Sequence, residues 1–125
     1  MSILKRSSLW LMAALYAFAG FNHIANPAFY LAIMPPDLPN PEWLNLSSGL
    51  AEIVLGVFLL EPRTRTFAAW GIIALLIAVF PANLYAAAHN LGTDNHVLHG
   101  IRLAFQAVFI VWAWWYTQPE GTAGA

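Results

Sequence analysis

Cysteine is absent from the 125 residues, so the chain has no disulfide, no thiolate nucleophile and no CxxC redox pair. Any redox role must then use a bound cofactor or a partner protein. Charge is scarce too: five Lys and Arg stand against six Asp and Glu, 9% of the residues, with no run of one sign. Such a balance argues against nucleic acid as a partner and against strong electrostatic attachment to anionic lipid. The patterns of soluble catalysis are missing as well, with no GxSxG, HExxH, P-loop or GxGxxG.

What fills the chain is apolar. At 60% hydrophobic residues it has too little polar surface to coat a soluble domain, which predicts an integral membrane protein in contact with the lipid bilayer. Apolar runs at about 8–25, 44–60, 67–88 and 100–116 predict an all-α fold, a four-transmembrane-helix bundle forming one domain over 1–116. A polar leader, Met1 to Ser8, precedes it, and a polar connection, His89 to Leu98, precedes the fourth span. The tail, 117–125, is too poor in apolar residues to bury anything and is expected to be disordered. Five of the eight prolines (Pro27, Pro35, Pro36, Pro39 and Pro41) fall between the first two spans, where no continuous helix can cross. Phe29 to Met34 is nevertheless apolar. This segment is expected to be interfacial or re-entrant, either a lid over the bundle or a loop embedded among head groups.

Basic residues set the expected orientation. Lys5 and Arg6 precede the first span and Arg63 and Arg65 separate the second from the third, so four of the five lie on one side. By the positive-inside rule both termini are cytoplasmic in a multi-pass protein of a bacterial cytoplasmic membrane. Trp10, Trp70, Trp112, Trp114 and Trp115 then mark the cytoplasmic boundary, and Trp43, Tyr30 and Tyr85 the outer one.

The polar residues inside the spans gather in the outer half. Glu52 is the deepest, about 12–14 Å of helical rise from Trp43. A carboxyl group at such depth costs about 2.5–3.5 kcal/mol unless a partner compensates. Gly49, Glu52 and Gly56 are spaced i, i+3, i+7, which puts the acid on a stripe where a second backbone can approach closely. Tyr16, Gly20 and His23 share a face of the first span. Asn22 and His23 lie near the outer end of that span, Asn83 in the outer third of the third, and Arg102 and Gln106 in the first two turns of the fourth. Pro81 removes a backbone donor from the third span, and Asn83 just beyond it is expected to help satisfy the opened backbone.

These positions predict a Glu52–Arg102 pair, direct or through Gln106 or water, flanked by His23 and Asn83. A cavity framed in this way and opening outward suits a head group bearing carbonyl or hydroxyl oxygens, a quinone or another small lipid. The alternative is a network that only sets the register of four apolar helices. His89, His96 and His99 form a second cluster, but no carboxylate lies at a metal-ligand spacing and no metal is assigned to them.

One resemblance emerges from the segments Gly20-Phe21-Asn22-His23-Ile24-Ala25-Asn26-Pro27, Phe29-Tyr30-Leu31, Ile33-Met34-Pro35-Pro36, Ser48-Gly49-Leu50-Ala51-Glu52, Phe80-Pro81-Ala82-Asn83 and the Arg102 to Gln106 helix. In this order they resemble the DoxX family of small bacterial four-helix membrane proteins. The resemblance implies a four-span bundle with His23, Glu52, Asn83, Arg102 and Gln106 at the family's recurring polar positions. It also implies association with membrane oxidoreductases, a quinone as non-covalent cofactor and a redox partner protein, or else a scaffold or assembly-chaperone role. Any catalysis would belong to a quinone-linked complex rather than to a stand-alone enzyme. Homo-oligomerisation is open to a bundle of this size.

Overall fold

Local chemistry starts each helix earlier than the apolar runs do. In a computed structural model, residues 1–119 are described, and α1 spans Ile3–Ala25. Ser2 caps it, its Oγ accepting the Lys5 backbone N–H at 3.1 Å. The expected polar leader is therefore the first turns of the helix. Lys5 is buried there with its ammonium 5.5 Å from the centre of the Trp115 ring, so a cation–π contact offsets its burial. Asn26 ends α1, and Pro27 opens the short helix α2, Pro27–Ala32. Turns then lead to α3, Pro41–Leu60, again with proline in the first turn.

Between α3 and α4 (Arg65–Ala88) the exposed carbonyls of one helix end are met by side chains from the start of the next. Thr64 Oγ1 donates to the Phe58 carbonyl at 2.8 Å, and Arg65 donates to Leu59 and Leu60 at 2.8 and 3.2 Å. Past α4 the chain turns through Asn90 and Gly92, both at positive φ. Asn95 then caps α5, His96–Trp115, accepting from the Val97 and Leu98 N–H groups. The fourth span thus begins inside what reads as a polar connection. Thr117 and Gln118, expected in a disordered tail, bond back to the Trp114 carbonyl. The remainder of that tail, from residue 120, lies outside the described residues.

The fold is all-α, with no strand among the described residues. Its helices α1, α3, α4 and α5 run 23, 20, 24 and 20 residues and are long and apolar enough to cross a membrane. At about 1.5 Å per residue each matches a hydrocarbon core about 30 Å thick. Large apolar side chains such as Phe18, Val54, Val57, Ile77, Val108 and Val111 remain on the outside. In water such a surface would drive aggregation, whereas in lipid it is solvated. This is a multi-pass membrane protein.

Packing divides the bundle into two pairs, α1 on α3 and α4 on α5, joined through α3 on α4. Leu9, Met12, Ala13 and Tyr16 of α1 meet Leu59, Ala68, Ala69, Ile72, Ile73, Ala113 and Tyr116 in one apolar core. Apart from Tyr16, which is at mid-helix, these lie in the half of the bundle that holds the start of α1 and the end of α5. Toward the other end the two pairs separate, and a cavity of about 640 Å³ opens between them.

Candidate functional site

Glycine builds the first wall of this cavity. A Cβ placed on Gly49 would lie 2.8 Å from both the Gly20 carbonyl oxygen and His23 Cβ, and one on Gly56 would lie 2.9 Å from the Ala13 carbonyl and 3.3 Å from Tyr16 Cβ. One placed on Gly20 would run into the Gly49 carbonyl. The two backbones are therefore in contact over two turns, as small residues permit in membrane helices. Gly49 meets His23 and Gly56 meets Tyr16. Glu52, midway between those glycines, enters the space between the histidine and the tyrosine.

His23 is held in one tautomer. Asn45, 3% exposed, donates from Nδ2 to the His23 carbonyl at 2.8 Å, and its Oδ1 lies 2.7 Å from His23 Nδ1. The ring nitrogen facing the amide oxygen must carry a proton. That leaves Nε2 toward Glu52 Oε2 at 3.5 Å, within ion-pair range but longer than a hydrogen bond. Glu52 Oε2 has no hydrogen-bond partner, and neither has the hydroxyl of Tyr16, although both atoms are buried. Such orphans are uncommon and costly inside a protein.

The second wall is built from α4 and α5. Gln106, 5% exposed, accepts from Asn83 Nδ2 at 2.9 Å and donates to the Leu76 carbonyl at 2.7 Å. Pro81 has no N–H to return to the Ile77 carbonyl, and the side chain that reaches the backbone beside this point, at Leu76, is Gln106 rather than Asn83. Asn83 Oδ1 instead accepts from Arg102 at 3.0 Å, and the guanidinium also lies 3.3 Å from His99 Nδ1. His99 Nε2 donates to the Thr93 carbonyl at 2.9 Å, so Nδ1 is the acceptor for Arg102. Every amide group of this wall is engaged.

Glu52 and Arg102 make no direct contact, and Gln106 does not link them, since its amide is taken by Asn83 and Leu76. Each takes partners from its own helix pair, because the cavity separates the pairs where these residues lie. Tyr16, His23, Glu52, Asn83, Arg102 and Gln106 all line the cavity, with apolar side chains making up most of the rest. Asn22 is not among the lining residues. It accepts from Asn26 at 2.6 Å and donates to the Tyr30 hydroxyl at 2.7 Å, which ties α2 to α1. Tyr30 stacks on His23 with ring centres 3.6 Å apart and, with Ile33 and Met34, covers one side of the cavity.

Sequence reasoning missed two partners. Asn45 lies one heptad before Glu52, on the Gly49–Gly56 stripe, and that spacing identifies it in retrospect. His99 lies three residues before Arg102, on its helix face. The histidine cluster does not assemble: His99 is buried, whereas His96 is exposed and exposed His89 stacks on Tyr85. Among the described residues no three His, Asp or Glu side chains come together as metal ligands.

Residues 12–117, the whole cavity included, match a protein family described as "Domain of unknown function (DUF8561)". The chain belongs to this family. Among curated proteins and solved structures none matches it. The DUF8561 match starts within α1, so it takes in Tyr16, all of the polar cavity residues and α2.

Proposed function

We propose that this chain is a DoxX-like accessory subunit of a membrane redox system, binding a quinone or a similar lipid through its head group in the cavity. The observation that carries this reading is the pair of buried, unpartnered polar atoms, Tyr16 Oη and Glu52 Oε2, on two residues that line a largely apolar cavity of about 640 Å³. A ligand head group able to hydrogen-bond would relieve both, and the apolar lining would take a hydrocarbon ring or chain. Such a volume is within the range of small-molecule sites. With no cysteine, electrons would pass between the ligand and a partner protein rather than through the chain.

The same reading places the protein in a bacterial cytoplasmic membrane with both termini cytoplasmic. Lys5, Arg6, Arg63 and Arg65 gather at the closed end of the bundle, which favours that orientation, and the α2 segment would then cover the cavity from the outer surface. A scaffold or chaperone role is the second reading. It draws on the α4–α5 wall, where Asn83 and Gln106 are engaged with protein partners and need no ligand.

Mass spectrometry of small molecules retained after mild-detergent extraction tests the first reading, comparing wild type with Glu52→Gln. A near-stoichiometric quinone or lipid bound to wild type and depleted from the variant is the expected result. Absence of any such molecule from both proteins would favour the scaffold reading.

A further inference from the structure

We infer that the cavity selects an uncharged head group bearing a hydroxyl, a phenol, hydroquinone or alcohol, over an anionic head or one whose oxygens only accept. This deepens the proposed ligand-binding function and rests on it. The argument is one of complementary vacancies. Tyr16 Oη is enclosed and has no acceptor, while Glu52 Oε2 is enclosed and has no hydrogen-bond donor, since His23 Nε2 stands off at 3.5 Å. Both belong to the α1–α3 wall, where Gly56 packs on Tyr16 and Gly49 on His23, so Glu52 lies between those two levels.

A hydroxyl group has the chemistry for both needs, able to accept from the tyrosine and to donate to the carboxylate. A carbonyl or an ether satisfies the tyrosine alone and leaves the carboxylate without a donor. A phosphate or carboxylate head seated between these two atoms brings negative charge to Glu52. Arg102 lines the same cavity, but from its other wall, so an anion it attracted would leave the Tyr16 and Glu52 atoms unsatisfied. It belongs to the opposite pair of helices, with Asn83 and His99 as its partners.

The test uses the protein in phosphatidylcholine nanodiscs offered 4-dodecylphenol, its methyl ether and dodecyl phosphate together, with bound probe measured by mass spectrometry against empty nanodiscs. Wild type should retain the phenol about tenfold or more over the ether, as expected when a hydrogen bond to a charged group is lost, and retain little phosphate. Glu52→Leu should bring phenol and ether to parity. Tyr16→Phe should weaken both by a similar factor and leave their ratio unchanged. If Glu52→Leu does not yield a monodisperse helical protein, Glu52→Gln should still lower the ratio several-fold. Equal retention of phenol and ether by wild type, or retention of the phosphate as well as the phenol, would overturn the hydroxyl requirement while leaving amphiphile binding intact. Retention of none of the probes above empty nanodiscs would overturn the binding reading and this inference with it.

Discussion

A single methyl group tests the α1–α3 contact. In Gly49→Ala the new Cβ would meet the Gly20 carbonyl and His23 Cβ, both at 2.8 Å, and neither can rotate away. The helices must separate, so thermal unfolding in detergent should show a loss of about 1–3 kcal/mol, the usual cost of overpacking. Gly100→Ala is the control. Nothing lies within 4 Å of a Cβ there, and replacing an exposed helical glycine should leave stability unchanged or raise it by up to about 1 kcal/mol. Equal effects at the two positions would mean that the close approach does not hold the pair together. Gly49 and Gly56 were legible as approach points from their spacing around Glu52. Asn45 was not singled out, because an amide in the first turns of an apolar helix carries no mark of the ring it will bond.

At the scale of the element, α2 is the piece least like its neighbours. It has six residues, none of them buried, and it is far too short to cross a membrane. Its hold on the bundle is Tyr30, through the stack on His23 and the bond from Asn22. Hydrogen exchange over residues 27–34 should therefore quicken clearly in Tyr30→Ala. Tyr30→Phe keeps the ring but loses the bond and should show a smaller increase. Unchanged exchange in both variants would place the anchor elsewhere. The prolines announced a break in the helices and the apolar run suggested a covering segment. What it covers depends on the ring of His23, twenty-two residues from the Asn45 that orients it.

For the whole molecule, the decisive feature is that the two helix pairs close at one end and part at the other. This arrangement puts Glu52 and Arg102 on opposite walls, and it predicts that Glu52→Gln and Arg102→Gln act independently. In a double-mutant cycle on stability their coupling should stay within about 0.5 kcal/mol, as for residues without shared partners. His23→Gln with Glu52→Gln should couple more strongly, since those side chains face each other at 3.5 Å. A large Glu52–Arg102 coupling would mean that the walls meet. The sequence by itself determined the all-α, four-span architecture, because apolar runs of bilayer length leave the backbone no other way to satisfy its hydrogen bonds. Helical periodicity on shared stripes also turned His23, Glu52, Asn83, Arg102 and Gln106 inward, but Asn22, expected with them, bonds to α2 outside the cavity. Only the tertiary structure decided who pairs with whom. Opposite charges at similar depth are equally compatible with one bridge or two separate clusters, and the choice falls to helix spacing, set here by glycine contacts on one side of the cavity and by the Asn83–Gln106–Leu76 bonds on the other.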